Sequence, residues 1–143
     1  MIAVDSNILV YAHKRQAPFH AEAKAALSSL VESADTWAIP WPCVHEFFAV
    51  VTNPRVFTPA STPAEAIAQV EAWAAAPNVL LLSESRIHLR SLAMLLTSAG
   101  LVGPAVHDAK IAAICLDHGV RALLTMDRDF SRFPALTTRS LLA

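Results

Sequence analysis

Four short apolar runs alternate along this chain with longer segments whose apolar residues recur at helical spacing. The runs lie at residues 1–5, 36–39, 79–82 and 122–125 and predict strands. The longer segments predict helices at residues 20–31, 43–52, 63–73, 85–98 and 103–118. Strands that alternate with helices predict an α/β domain with a mostly parallel central sheet of four to five strands.

Helix boundaries are marked by a few residues with defined local preferences. Thr62 and Glu65 form a capping-box pair around Pro63, which suits the first helical position. Gly100 and Gly119 follow helical segments and predict left-handed C-terminal caps. These signals place the helix boundaries that the apolar spacing leaves open.

The chain has 143 residues, a length that suits one domain spanning residues 1–143. It is 55% hydrophobic, but its apolar runs fall far short of the roughly 20 residues that a membrane helix needs. No secretion signal is recognisable at the N-terminus, so we expect a cytoplasmic protein without membrane contact. Cys43 and Cys115 have no metal-binding or redox spacing and are predicted to be buried.

Four acidic residues from distant parts of the chain are predicted to meet at one edge of the sheet. Asp5 ends the first strand, and Glu46 lies in the helix that follows the second. Asp108 begins the helix that leads into the fourth strand, and Asp127 follows that strand. Loops and helix N-termini converge beyond the carboxyl ends of parallel strands, so these side chains are expected to cluster there.

Helical spacing further suggests that Asp108 and Glu46 point inward, since they share faces with Ile111 and Val50, respectively. Buried carboxylates need a compensating cation or proton, and clustered oxygen ligands favour Mg²⁺ or Mn²⁺. The alternative is that each acid only caps a helix or a turn. For any single acid taken alone, this capping role is the favoured interpretation. The joint placement favours a metal site.

The net charge of −1 lacks the basic excess that is typical of nucleic-acid-binding domains. This balance weighs against a nucleic-acid substrate, unless the acidic residues concentrate around metal ions while lysines and arginines elsewhere contact phosphates. His45 and His107 each precede a candidate acid and are interpreted as structural or supporting residues. The tryptophans Trp37, Trp41 and Trp73 are predicted to be core residues.

Four sequence motifs occur in order along the chain. They are V-D-S-N-I-L at residues 4–9, H-E-F at 45–47, H-D-A-K-I-A at 107–112 and L-T-M-D-R-D-F at 124–130. Together they resemble the PIN-domain ribonucleases, specifically the VapC toxins of bacterial toxin-antitoxin pairs. The resemblance spans essentially the whole chain and implies a three-layer α/β/α fold.

The resemblance also implies residue roles. The family's acidic quartet falls on Asp5, Glu46, Asp108 and Asp127 as catalytic and metal-binding residues, with Asp5 and Asp108 as the surest magnesium ligands. Supporting roles fall on three further residues, Asn7, Thr125 and Asp129. Separately, Arg128 and Arg132 lie beside Asp127 and are interpreted as possible phosphate contacts, with ordinary solvated arginines as the equal alternative.

The activity implied by the resemblance is a Mg²⁺-dependent endoribonuclease that acts on structured RNA such as transfer or ribosomal RNA. A cognate VapB-type antitoxin would hold it inactive, and a homodimer is typical of the family. Two alternatives differ in class: an aspartate-based phosphohydrolase and a non-catalytic protein-interaction module. The phosphohydrolase chemistry typically needs a second aspartate two residues after the first, where this chain has Asn7.

Overall fold

The structure is a computed structural model that describes residues 1–142, so the predicted domain end at Ala143 lies outside the described residues. The strands are β1 (Ile2–Val4), β2 (Trp37–Pro40), β3 (Val79–Leu82), β4 (Ala122–Leu124) and β5 (Thr137–Arg139). The helices are α1 (Ser6–His13), α2 (His20–Glu32), α3 (Trp41–Val51), α4 (Pro63–Ala74), α5 (His88–Ala99), α6 (Ala105–Asp117) and a 3-10 helix (Arg128–Arg132).

The five strands form one sheet in the order β3-β2-β1-β4-β5, and every neighbouring pair is parallel. Strand β1 is central, with Ile2 beside Trp37 on one side and Ala122 on the other. All four residues of β2 are buried, as expected for a strand covered on both faces. The exposed residues of β5, by contrast, mark an edge of the sheet.

The direction of chain crossovers places the helices on both faces of the sheet. The chain moves from β1 through β2 to β3 in one direction, then returns past β1 to β4 and β5. Right-handed crossovers therefore put α1 to α4 on one face and α5 with α6 on the other. In agreement, α1 packs against α2 and α3, while α5 packs against α6. Strands β1 and β4 flank the point where the direction reverses, a position where α/β proteins bind ligands.

The predicted α/β class and parallel sheet are confirmed, as are the capping box of α4 and the left-handed Gly100 and Gly119. Predicted boundaries differ from the observed ones by up to three residues at helix ends. Three elements were missed: α1, the 3-10 helix and β5. Strand β5 has no buried residue, so its sequence lacks the apolar run by which the other strands were predicted.

The helices of the described residues are short. None of the helices within residues 1–142 combines the length and apolar character needed to cross a bilayer. The longest helices, α2 and α6, have 13 residues each. This finding agrees with the absence of long apolar runs in the sequence.

The capping box of α4 yields a stability prediction. Thr62 Oγ1 accepts from the Glu65 N–H at 3.1 Å, and Glu65 Oε1 accepts from the Thr62 N–H at 3.0 Å. We expect Thr62→Ala to lower the free energy of unfolding by about 1 kcal/mol, because a helix N-terminus loses its side-chain acceptor. The measurement is urea denaturation followed by circular dichroism.

The matched control is Thr97→Ala. Thr97 is an exposed residue inside α5 whose hydroxyl donates to the Ala93 carbonyl at 2.8 Å. Alanine is the better helix former there, so this change is expected to be neutral or slightly stabilising. Equal destabilisation by both variants would contradict a specific capping role for Thr62.

Candidate active site

Asp5 lies directly after β1, where it caps the N-terminus of α1. Its Oδ1 accepts hydrogen bonds from the Ser6 backbone N–H at 2.8 Å and from the Cys43 thiol at 3.5 Å. Its Oδ2 accepts from the Thr125 hydroxyl at 2.7 Å and from the Asn7 amide at 3.3 Å. Asp5 is only 3% exposed, so these four donors stabilise a carboxylate that has little contact with water.

Asn7 and Thr125 connect the start of α1 to the segment that follows β4. The Asn7 amide nitrogen lies 3.3 Å from Thr125 Oγ1, and Asn7 Oδ1 accepts from the Met126 N–H at 3.2 Å. Thr125 Oγ1 also accepts from the Asp127 N–H at 3.0 Å. These contacts orient Asp5 and hold the backbone that carries Asp127, which is the geometry needed for the supporting role implied by the resemblance.

A second group of acids lies on the β4 side of the point where the strand order reverses. Side-chain oxygens of Asp108, Asp127 and Asp129 all lie within 4.8 Å of one another. Asp108 is in the first turn of α6, and Asp127 Oδ1 accepts from the Asp129 N–H at 2.9 Å. Opposite ligands of an octahedral Mg²⁺ lie about 4 Å apart, so small side-chain movements would bring these oxygens around one cation. Asp129 thus belongs to the same group of carboxylates as the two predicted ligands, Asp108 and Asp127.

All four acids of the predicted quartet line one cleft of about 270 Å³: Asp5, Glu46, Asp108 and Asp127. The other lining residues are Ser6, Asn7, Val10, Tyr11, Val50, Val56, Phe57 and Ile111. The cleft therefore combines four acidic side chains with a largely apolar wall. Acids from the end of β1, from α3, from α6 and from the segment after β4 meet there, as the parallel-sheet argument predicted.

Burial and like charge both act on the acids of the cleft. Burial raises the pKa of Asp5, against the opposing effect of the hydrogen bonds from Thr125 and Ser6, and the charge of Glu46 raises it further. Burial also raises the pKa of Asp108 to about 6, with further contributions from the charges of Asp127 and Asp5. The site therefore disfavours full ionisation unless a cation binds, which fits a divalent metal.

The inward orientation predicted for Glu46 is wrong. The buried face of α3 consists of Cys43, Val44, Phe47 and Val51, and Glu46 is exposed. The prediction relied on Val50 as a marker of the buried face, but Val50 is only partly buried. Glu46 reaches the cleft from its rim, whereas Asp108 is half-buried as expected.

The two arginines interpreted as phosphate contacts have different surroundings. Arg132 forms an ion pair with Asp129 at 3.2 Å, so it lies close to the acidic group. Arg128 lines another small cavity together with Arg139, which β5 contributes, and this cavity shares Asp127 with the acidic cleft. Sequence reasoning missed Arg139 because it missed β5. Both Arg128 and Arg132 are exposed and remain available to a polyanion.

The structure corrects one interpretation of the sequence, that of Trp41, and adds roles for Cys43, Val56 and Phe57. Trp37 and Trp73 are buried as predicted, but Trp41 is 38% exposed at the start of α3, so its assignment to the core is wrong. Cys43 and Cys115 are buried, as predicted, yet Cys43 also donates to Asp5, a role that no sequence signal indicated. Wall residues Val56 and Phe57 were also missed, because their loop has no regular periodicity.

Solved structures show the same fold at low sequence identity. The VapBC2 structure from Rickettsia felis bound to a promoter DNA fragment matches with a TM-score of 0.70 and 20% identity, covering 98% of each chain. VapC20 from Mycobacterium tuberculosis, described as a sarcin-ricin-loop-cleaving toxin, matches with a TM-score of 0.69 and 14% identity. That match covers 92% of this chain and 93% of the other.

Sequence comparison provides the family. A family model for the PIN domain matches residues 2–136. Ribonuclease VapC43 of Mycobacterium tuberculosis is 34% identical over 139 residues, which cover 97% of this chain and 94% of the relative. Ribonuclease VapC31 of the same species is 34% identical over 136 residues, 95% of each chain. With its acids gathered in one cleft on this fold, the chain belongs to the PIN-domain family and, within it, to the VapC ribonucleases.

Proposed function

We propose that this ribonuclease is the toxin of a toxin-antitoxin pair and a Mg²⁺-dependent endoribonuclease that cuts structured cellular RNA, transfer or ribosomal. The observation that carries the proposal is the cleft in which Asp5, Glu46, Asp108 and Asp127 meet. We assign these four acids the catalytic and metal-binding roles, with Asp129 as a further ligand. Mn²⁺ is expected to substitute for Mg²⁺.

The side chains of the cleft fit a hard divalent cation. Their ligand atoms are carboxylate oxygens, and the pKa of Asp108 is raised by burial and by the neighbouring charges of Asp127 and Asp5, which a cation would compensate. When bound, Mg²⁺ would supply a Lewis acid that activates water and neutralises charge on the scissile phosphate. Cleavage of this kind leaves a 5'-phosphate and a 3'-hydroxyl.

The residues of the chain itself supply position and orientation. Thr125, Asn7 and Cys43 hold the Asp5 carboxylate in one place, so that its oxygens are presented to the cleft without further rearrangement. The Asp127 N–H is fixed by Thr125, which couples the two halves of the site. Exposed Arg128 and Arg132 are available to contact the RNA backbone.

Two features support structured RNA and a protein inhibitor. VapC20, a neighbour of the same fold, is described as cleaving the sarcin-ricin loop, and several other neighbours are VapBC complexes. The apolar wall of the cleft, with Val56 54% exposed, would be covered by a partner segment. We propose a VapB-type antitoxin, with both proteins in the cytoplasm where the RNA is made.

A homodimer completes the proposal, as is typical of the family. Leu89 and Met94 on α5 are 80% and 65% exposed, and nearby Val102 is 80% exposed. Exposed apolar side chains of this size favour association with another protein surface. Light scattering of the purified protein would establish the oligomeric state directly.

The proposed activity predicts cleavage that depends on Asp108. Brief expression of the wild type is expected to create new RNA 5' ends at defined sites, and Asp108→Asn is expected to create none, because it removes one charge from the metal site. The measurement is sequencing of RNA 5' ends across the cell. The matched control is Asp35→Asn, an exposed aspartate in the turn before β2, which is expected to cut like the wild type.

Folding of the Asp108→Asn protein is checked in the absence of metal. The pKa of Asp108 is raised from its ordinary value of 3.8 to about 6, so folding disfavours the charged form and stability falls as pH rises through this range. Asparagine has no such penalty, and the variant is expected to be at least as stable at pH 7.5 in EDTA. Cleavage by Asp108→Asn equal to that of the wild type would refute the assigned role.

Cleavage should require a divalent metal, and metal affinity should depend on the protonation of Asp108. We expect cleavage with Mg²⁺ or Mn²⁺, none in EDTA, and inhibition by Ca²⁺, whose looser coordination does not reproduce octahedral geometry. A proton on Asp108 competes with the cation below a pKa of about 6, so affinity for Mn²⁺ should be about tenfold weaker at pH 5 than above pH 7. Calorimetry over this range measures it, and undiminished cleavage in EDTA would exclude the metal mechanism.

Inhibition by the antitoxin is expected to compete with the metal. A guanidinium or ammonium placed among Asp5, Glu46, Asp108 and Asp127 would pair with carboxylates and supply positive charge in place of Mg²⁺. Mg²⁺ titrated into the purified complex should then weaken binding of the partner, as should alanine at its inserted basic residue. Binding that responds to neither change would place inhibition elsewhere on the surface.

A further inference from the structure

A second cavity adjoins the acidic cleft. It has a volume of about 410 Å³, and Glu46, Asp108 and Ile111 line both cavities. Two of the site acids, Glu46 and Asp108, belong to both cavities. A ligand bound at these carboxylates can therefore extend into the second cavity. The volume falls within the range of roughly 300–1,000 Å³ that is common for ligand sites.

The two cavities differ in chemistry. The acidic cleft is walled by aliphatic and aromatic side chains, whereas the second cavity is lined by Pro42, Pro104, His107 and Lys110 in addition to the shared residues. His107 and Lys110 are three residues apart on α6 and therefore neighbours on one helical surface. An imidazole ring and an ammonium group thus lie together beside the acids.

The ammonium of Lys110 is available to an anionic ligand. Within residues 1–142, Arg132 forms a salt bridge with Asp129, whereas Lys110 forms none with any carboxylate. His107 is exposed, and its ring makes no hydrogen bond with another of the described residues. An ammonium group can contact the phosphate of a nucleotide, and a flat ring can stack on its base. The two carboxylates would then lie next to the scissile bond.

We propose that this second cavity binds the unpaired nucleotide next to the scissile phosphate, with His107 stacking on its base and Lys110 contacting its phosphate. The inference rests on the proposed ribonuclease function and names the part of the RNA that determines where the cut falls. A concave pocket of this size accommodates a base that is splayed out of a helix, as in a loop or bulge. Pro42 and Pro104 provide rigid apolar walls for it.

His45 supplies a matched comparison for His107. Each histidine directly precedes a site acid and each is exposed, but only His107 lines the second cavity. The ring of His45 instead lies 5.9 Å from that of Trp41 with an interplanar angle of 33°. For Lys110, the comparison is Lys24, an exposed lysine on α2 away from the acids.

The test is cleavage of a library of RNA hairpins with a randomised unpaired loop by the full-length protein with Mg²⁺, followed by sequencing of the products. His107→Ala is expected to raise KM by about tenfold and to flatten the modest base preference at one position adjoining the cut, since stacking of a base on a ring is lost. Lys110→Ala is expected to raise KM at every sequence and to lower the salt dependence by about one charge, with base preference retained. His45→Ala and Lys24→Ala should match the wild type.

Binding of short single-stranded RNA provides a readout that does not need cleavage. Fluorescence anisotropy with the Asp5→Asn protein should show weaker binding when His107→Ala or Lys110→Ala is added, but no change with His45→Ala. Weakened binding together with a wild type that creates no new RNA 5' ends in cells would support the cavity and refute the proposed function. Unchanged base preference and unchanged binding in His107→Ala, or equal effects of His45→Ala, would overturn the proposal.

Discussion

The carboxylate of Asp5 is almost fully buried at the end of the central strand, and its charge has to be stabilised by the surrounding protein. Donors come from three chain segments: the start of α1, Cys43 on α3, and Thr125 after β4. Each contact fixes the position of one segment relative to β1. The hydrogen bonds that stabilise one charge therefore also assemble the site, because Asp127 and Glu46 belong to the same segments.

Topology determines where this happens. The strand order reverses between β1 and β4, so α1 and α6 lie on opposite faces and their N-termini border one crevice. Asp108 enters that crevice from the first turn of α6, where negative charge is favoured by the helix dipole. Burial, together with repulsion among the acids, raises the pKa of Asp108 to about 6, so a bound cation would stabilise the ionised site.

The convergence of the acids could be predicted because it depends on parallel topology, which apolar periodicity reveals. Glu46 was misplaced because one partly buried neighbour, Val50, was taken to mark the face of α3. Arg139 and the second cavity were beyond prediction, since they depend on an exposed edge strand and on the spacing between α3 and α6. The donor role of Cys43 likewise depends on a tertiary contact with Asp5, which no local pattern encodes.

The central claim is that carboxylates from separate chain segments form one metal site, and anomalous diffraction tests it most directly. Crystals of the protein soaked in Mn²⁺ would be measured at the manganese absorption edge. The account predicts an anomalous peak within coordination distance of Asp108 and Asp127, in the cleft that Asp5 and Glu46 also line. A cleft without a peak at saturating Mn²⁺, or a peak found only elsewhere on the protein, would contradict it.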